Sequence, residues 1–345
     1  VVRTLVREMS ARTLGASFER EIREQPAVWE RLANSAAAST LAAEIAGEVV
    51  LLGSGSSLFV AQLGALAFRR RRVSAHALAA TECHLDHAAY ERKLVVAVSQ
   101  SGRSTDVLSA LEVLHPRKVI ALTNSARSPL AERADLVIDI DAGPELAVPA
   151  SKSVSACAAV LLWAASLVGG DAGRGAQTLR QAAGEVEEWL GGSGPQAVQA
   201  AAVHAAQRQH VAVLGSDYGL PVAREVALKL KEASYLHAEA FSAGEFRHGS
   251  VSMVDASFTV FGIADADALA VVARPLHELE RSEALRYEIG ACEIPGAATL
   301  GPDVVASYNT LGWLVTGQLL ALFAARAKGI DCDAPRGLTK ALVNE

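Results

Sequence analysis

Residues 50–66 read VLLGSGSSLFVAQLGAL and residues 212–228 read AVLGSDYGLPVAREVAL, and the two stretches align without a gap. Gly53 meets Gly215, Ser54 meets Ser216, and Ala61, Ala65 and Leu66 meet Ala223, Ala227 and Leu228. Each stretch is a short apolar run, a glycine-containing turn and then an alanine-rich segment of helix length. A turn from a buried strand into a helix needs glycine where a side chain would collide, so the match falls where sterics constrain it. The chain therefore reads as two copies of one α/β unit.

Around the first copy, Val49–Leu52, Val73–Ala77, Leu94–Val98, Val119–Leu122 and Leu136–Ile140 are apolar runs of strand length separated by helix-length stretches. Such a pattern predicts a parallel sheet covered on both faces. Around the second copy the runs are Val211–Leu214 and Phe258–Ile263, with weaker candidates at Leu285–Ile289 and Cys292–Ile294. The expected fold is α/β, with two doubly wound parallel-sheet domains at 47–170 and 206–328. Residues 1–46 are expected to be helical, broken at Pro26, and 171–205 to form a helical linker: Gly169-Gly170-Asp171-Ala172-Gly173 closes the helix before it, and Gly191-Gly192-Ser193-Gly194-Pro195 separates two helical segments within it. The segment 329–345 is a tail too polar for a core element.

Of 345 residues, 51% are hydrophobic and 20% charged, and 32 Lys+Arg against 38 Asp+Glu leave a net charge of −6. Phosphate-backbone binding needs clustered cations, so no nucleic-acid partner is expected; the run Arg69-Arg70-Arg71-Arg72 reads as a solvated helix end. Cys83, Cys157, Cys292 and Cys332 lie too far apart for a CxxC pair, which argues against zinc and disulfides. A membrane span needs about 18 apolar residues, and Leu311 to Ala327 is interrupted by Gly312, Gly317, Gln318 and Arg326, so it reads as a buried helix. With no leader-like opening either, a cytoplasmic protein without a membrane partner is expected.

Two loops could hold an anion. Ser99-Gln100-Ser101-Gly102-Arg103-Ser104-Thr105-Asp106 follows one apolar strand and precedes a helix, and Gly53-Ser54-Gly55-Ser56-Ser57 follows another. Helix N-termini expose unpaired N–H groups, and small hydroxyl residues add donors without blocking approach. Serines as ordinary helix caps are the competing account. Neither loop has the GxGxxG or P-loop lysine pattern, so a single phosphate on a small molecule is preferred to a nucleotide.

Further along, Glu225, Lys229 and Glu232 fall at i, i+4 and i+7 of one helix and share a face; an exposed salt-bridge ladder is the ordinary account of that spacing. His248 stands in the turn Gly244-Glu245-Phe246-Arg247-His248-Gly249, where a surface histidine is the ordinary account.

The string Ala227-Leu228-Lys229-Leu230-Lys231-Glu232-Ala233-Ser234-Tyr235-Leu236-His237-Ala238-Glu239-Ala240, with Ala243-Gly244-Glu245 and His248-Gly249, resembles the isomerase domain of glucosamine-6-phosphate synthase, a pair of sugar-isomerase (SIS) domains. Ser99-Gln100-Ser101-Gly102, Gly143-Pro144-Glu145 through Ser151-Lys152, and the tail Asp331-Cys332-Asp333-Ala334-Pro335-Arg336-Gly337-Leu338-Thr339-Lys340 resemble it too, as does Glu21-Ile22-Arg23-Glu24-Gln25-Pro26. The resemblance implies that Ser57, Ser99, Gln100, Ser101 and Ser104 bind a sugar phosphate, with Ser56, Val148 and Ala150 lining the substrate pocket. It implies that Glu232 moves a proton between C1 and C2 and that His248 acts in ring opening, entering the site from the neighbouring subunit of a homodimer. Lys340 matches a tail lysine that forms a Schiff base with the open-chain ketose, and Lys229 a second pocket lysine. Burial is expected to raise the pKa of Glu232 toward neutrality, and nearby cations such as Arg336 and Lys229 to favour a neutral amine on Lys340. No metal or other cofactor is required by this chemistry.

Ala150, preceded by Pro149, stands where relatives carry a serine that contacts the sugar, so one contact is expected to be altered. The length accommodates the isomerase pair and no glutaminase, so the expected reaction is release: glucosamine 6-phosphate to fructose 6-phosphate and ammonia. A deglycase for a phosphorylated fructosamine adduct and a plain aldose–ketose phosphate isomerase are alternatives, and a non-catalytic sugar-phosphate sensor is the alternative from another class.

Overall fold

The computed structural model describes residues 13–340 apart from Asp86 and Ala172. The predicted linker's Ala172, the first twelve residues and the last five of the tail thus lie outside the described residues.

Three helices come first: α1 (Ala16–Arg23), α2 (Gln25–Ala33) and α3 (Ala37–Glu44). Pro26 sits in the first turn of α2, where its missing N–H costs nothing. The first sheet follows as β1 (Val49–Gly53), α4 (Ser56–Arg70), β2 (Ala75–Ala79), β3 (Leu94–Val98), α5 (Thr105–Leu114), β4 (Lys118–Thr123), α6 (Pro129–Arg133) and β5 (Leu136–Asp139). Helices α7 (Lys152–Val168), α8 (Gly175–Gly191) and α9 (Gly194–Ala206) lead to the second sheet, which runs β6 (His210–Gly215), α10 (Gly219–Ser234), β7 (His237–Ser242), α11 (Ala243–Phe246), β8 (Phe258–Ile263), α12 (Leu269–Glu278), β9 (Leu285–Glu288) and β10 (Ala298–Thr299), closed by α13 (Asn309–Ala327).

Both sheets are five-stranded and parallel, in the orders β2-β1-β3-β4-β5 and β10-β9-β8-β6-β7. These are the same topology. In each, the first strand lies between the second and the third, so the chain reverses its direction of winding there, and ligands of open α/β sheets bind at that point. Strands β1, β3 and β8 are buried along their whole length because helices cover both faces, the burial their unbroken apolar runs predict.

The second sheet departs from expectation at its edges. Cys292–Ile294 is not a strand: the buried Glu288 carboxylate accepts the N–H groups of Cys292 and Ile294, which holds that segment as a loop and leaves the edge to β10. The edge strand β7 escapes a hydropathy reading because His237 and Glu239 are exposed.

Helix α13 is buried from Thr310 to Ala325. It is long and apolar enough to cross a membrane, yet 89% of its apolar window is buried inside the protein. Gly317 lets it touch α10, since a Cβ there would lie 2.3 Å from Val226. Within this packing Gln318 accepts from Gln25 at 2.8 Å and donates to the Ser151 carbonyl at 3.2 Å, so one buried amide joins α2, α13 and the loop before α7.

The tail is not surplus to the core. Cys332 is fully buried, and the Asp333 carboxylate accepts the Ser17 and Phe18 N–H groups, both at 2.8 Å. Helix α1 has glycine at its own N-cap, so the cap comes from the far end of the sequence. Such a cap is worth roughly 1 kcal/mol.

Candidate active site

The turn after β1 and the loop after β3 open side by side, since Leu52 pairs with Ala97 in register. A Cβ on Gly53 would come within 2.6 Å of the Ser57 carbonyl carbon, and one on Gly215 within 2.2 Å of the carbonyl oxygen of Gly219, the residue that aligns with Ser57. The internal repeat therefore has a steric basis in both copies. Ser56 and Ser57 open α4, Ser104 stands just before α5, and Ser99, Gln100 and Ser101 lie on the loop between. Ser99 is buried and the others are half-buried. Two buried polar atoms here, Ser54 Oγ and Arg103 Nε, have no hydrogen-bond partner among the described residues. With the N-termini of α4 and α5 they form a set of unpaired donors suited to an oxyanion.

Helix α10 runs back along α4, with Arg224 donating to Gln62 at 2.6 Å and Arg70 paired to Asp217. Arg70 also stacks over Tyr218 at 4.5 Å, so the arginine run is not simply solvated. On α10 the three spaced residues form a cluster: Lys229 Nζ lies 2.5 Å from Glu232 Oε2 and 3.5 Å from Glu225 Oε1. Side-chain exposure is 2% for Lys229 and Glu225 and 23% for Glu232, which excludes an exposed ladder. The fully buried carboxyl is Glu225 rather than Glu232. Burial pushes Glu225 up, with Lys229 pulling the other way. For Lys229 burial favours the neutral amine, but Glu225 and Glu232 outweigh it and hold the ammonium above the ordinary lysine value. The cluster thus presents an ammonium beside one partly exposed carboxyl group, an arrangement that can move a proton while keeping the developing charge balanced.

The loop from Gly143 to Ser151 is built on two buried acids. Glu21, on α1, accepts the Leu146 and Ala147 N–H groups. Glu145 accepts from Ser151 N–H at 2.9 Å and from Ser153 through both its N–H and its hydroxyl. Lys340 reaches the same place, with Nζ 3.2 Å from Glu145 Oε2 and 2.7 Å from the Ala147 carbonyl. Burial opposes the Glu145 charge, yet Lys340 and the serine donors hold its carboxyl below the usual range. Val148 N–H donates to the Asp333 carbonyl at 3.1 Å, Ala150 is half-buried, and Arg336 stacks over Tyr235 at the end of α10, 4.3 Å from the ring centroid. The tail therefore crosses from α1 to α10 and brings Lys340 to the loop.

Glu145 acts electrostatically on both Lys340 and Lys229, so the two lysines share one neighbourhood. His248 does not join them: it is exposed, and its side chain bonds none of these groups among the described residues. Neither Glu21 nor Glu145 stands out as a site residue in the sequence; the available signal is the Gly-Pro-Glu string and the acid in the Glu-Ile-Arg-Glu-Gln-Pro string, which spacing alone does not connect.

The SIS domain model matches residues 45–167 and 205–286. The chain belongs to the SIS domain family. It is 31% identical to the isomerizing glutamine–fructose-6-phosphate aminotransferase of Pyrobaculum aerophilum, across 94% of this chain and 57% of that one, and it spans about half the length of the curated relatives it matches. Among solved structures it is similar to the C-terminal domain of glucosamine-fructose-6-phosphate aminotransferase from Francisella tularensis (TM-score 0.81, 22% identity, 92% of this chain and 98% of that). A glucosamine-6-phosphate deaminase from Thermotoga maritima is similar as well (TM-score 0.76, 24% identity, 94% and 98%). At these identities the two structures share the fold. In this double-SIS chain the serine loops follow strands of the first sheet, and the helix with Lys229 and Glu232 belongs to the second.

Proposed function

We propose that this chain is a phosphosugar isomerase acting on an amino sugar phosphate, with Glu232 as the acid/base and Lys340 as the amine. The observation that supports it is the pairing of the buried Lys229 with the partly exposed carboxyl of Glu232, beside a set of unpaired donors suited to an oxyanion. The phosphate of glucosamine 6-phosphate docks on Ser57, Ser99, Gln100, Ser101 and Ser104. Once the ring opens, Glu232 takes the proton from C2 and returns it at C1 while the C2 ammonium gives up one proton and the C1 oxygen gains one, which turns the C1 aldehyde and C2 ammonium into a C1 hydroxymethyl group and a C2 iminium. Water adds to the iminium carbon and ammonia leaves, giving fructose 6-phosphate; one water is consumed and one ammonia released. Lys229, held as an ammonium, stabilises negative charge on the enediol-like intermediate. In the reverse direction Lys340, once a base has taken its proton, adds to the C2 carbonyl of the open-chain ketose with loss of one water, and hydrolysis of that Schiff base returns the ketose and the free amine. His248 assists ring opening from a second subunit.

The test is ammonia release from glucosamine 6-phosphate by the purified protein. Ammonia and fructose 6-phosphate in equal amounts are expected, and a rate no higher than that of Glu232→Gln overturns the reading. A second reading is favoured by the Lys340–Glu145 ion pair, which would serve as a structural strut: the chain then interconverts aldose and ketose phosphates without a lysine nucleophile. Interconversion without ammonia, surviving Lys340→Met, selects it.

A further inference from the structure

The internal repeat places a second crevice on the molecule. Continued past residues 66 and 228, the alignment sets Ala67 opposite Lys229 and Arg70 opposite Glu232. Because α4 and α10 run in opposite directions, the end of α10 lies toward the first sheet's winding reversal, and the end of α4 lies over that of the second. A cavity of about 650 Å³ opens there, lined by Ala67, Arg70, Tyr218, Asp265, Asp303 and Thr310 among others. It has the size of a small-molecule site, and it lacks a counterpart to the Lys229–Glu232 pair.

Its chemistry also differs from that of the first crevice. Where Ser99, Gln100, Ser101 and Gly102 follow β3, Ala264, Asp265, Ala266 and Asp267 follow β8. The serine donors are replaced by carboxylates, which repel a phosphate. Asp265, Asp267 and Asp303 make no ion pair among the described residues, and Arg70 is neutralised by Asp217; Arg71 remains as a cation on the wall. Burial raises the Cys292 thiol, and Glu288, Asp265 and Asp303 add to the shift, as carboxylates converging on one space would. Thr310 is an independent sign of an occupant: it lines the cavity, is 2% exposed, and its Oγ1 has no hydrogen-bond partner among the described residues. A buried hydroxyl left unpaired is uncommon in a finished core.

We propose that this cavity is a second, non-catalytic ligand site for a small hydroxylated organic cation, of the class of an unphosphorylated amino sugar. The carboxylates hold the ammonium group, and Thr310 and the neighbouring polar groups take hydroxyls. The inference rests on the repeat and the cavity and does not depend on the reaction proposed above.

Calorimetric titration with D-glucosamine at low ionic strength tests it. Saturable binding is expected, at least tenfold tighter than that of glucose, unchanged by saturating fructose 6-phosphate and by Glu232→Gln. The exposed pair Asp267→Asn with Asp303→Asn is expected to weaken it at least tenfold. Absence of binding, equal affinity for glucose, competition by fructose 6-phosphate or full affinity in the double variant each overturns the proposal. Should the double variant misfold, crystals of the unaltered protein grown with glucosamine decide: density in the cavity supports the site, and an empty cavity overturns it.

Discussion

Lys340 Nζ stands 3.2 Å from Glu145 Oε2, so a residue near the end of the described chain is anchored to the acid that shapes the loop after β5. The ion pair is almost dry, with side-chain exposures of 10% and 0%, and with the bond from Lys340 to the Ala147 carbonyl it ties the last described residue to that loop.

Because Glu145 is held below the usual carboxylate range by Lys340 and its serine donors, its contribution to stability is present above the ordinary carboxylate value. It is lost as pH falls through the depressed folded value. The hydrogen-exchange protection factors of residues 331–340, measured against the intrinsic rate at each pH, should therefore fall below about pH 4 in the unaltered protein. In Glu145→Gln the same segment should exchange fast at pH 7 and show little further change in acid. A tail equally protected in both proteins at pH 7 contradicts this.

Removing Lys229 leaves two carboxyls facing each other in a buried space. Lys229→Met should cost about 3 kcal/mol in urea unfolding at pH 7, the usual cost of orphaning a buried charge. Adding Glu225→Gln should return part of that loss, because the pair is coupled. Since the Lys229 ammonium is held above its ordinary value, its stabilisation is complete at neutral pH and fades only as pH climbs through that raised value. Additive losses in the double variant would show that the two groups do not interact.

Gly102 takes φ +61°, and a Cβ there would lie 2.1 Å from Ser128 Oγ. Gly102→Ala should destabilise the fold by roughly 1–3 kcal/mol and raise KM for a sugar phosphate at least tenfold, with a smaller change in kcat. An unchanged KM would separate this loop from the phosphate.

If His248 serves the site of a second subunit, two inactive proteins can repair each other. Glu232→Gln and His248→Ala should each lower turnover by about 10²–10⁴, and refolding them together should restore about a quarter of the unaltered activity, in a species of dimer mass by light scattering. No recovery from a mixed dimer would place both residues in one subunit.

Much of the scaffold is written in local pattern. Strands β1, β3 and β8 announce themselves as unbroken apolar runs because both their faces are covered, and the paired Gly53 and Gly215 mark the turns because no side chain fits. Edge elements lack that signature: β7 alternates with exposed His237 and Glu239, and β10 is two residues long. At the site, spacing placed Glu225, Lys229 and Glu232 on one face but left open whether that face meets water. That depends on α4 packing across it. Least legible were Glu21, Glu145 and Asp333, whose partners lie more than a hundred residues away or belong to a backbone that has no side-chain identity to read.

The tail's attachment to α1 through Asp333 sets an order of events during synthesis. Both sheets can assemble while the chain is still being made, and the serine loops can close around an anion. Lys340, however, reaches the crevice only after residues 331–340 have left the ribosome and found a helix made more than three hundred residues earlier. On the proposed function, a nascent chain would be able to hold a sugar phosphate before it can process one, and one bound at that moment would favour the last folding step by mass action.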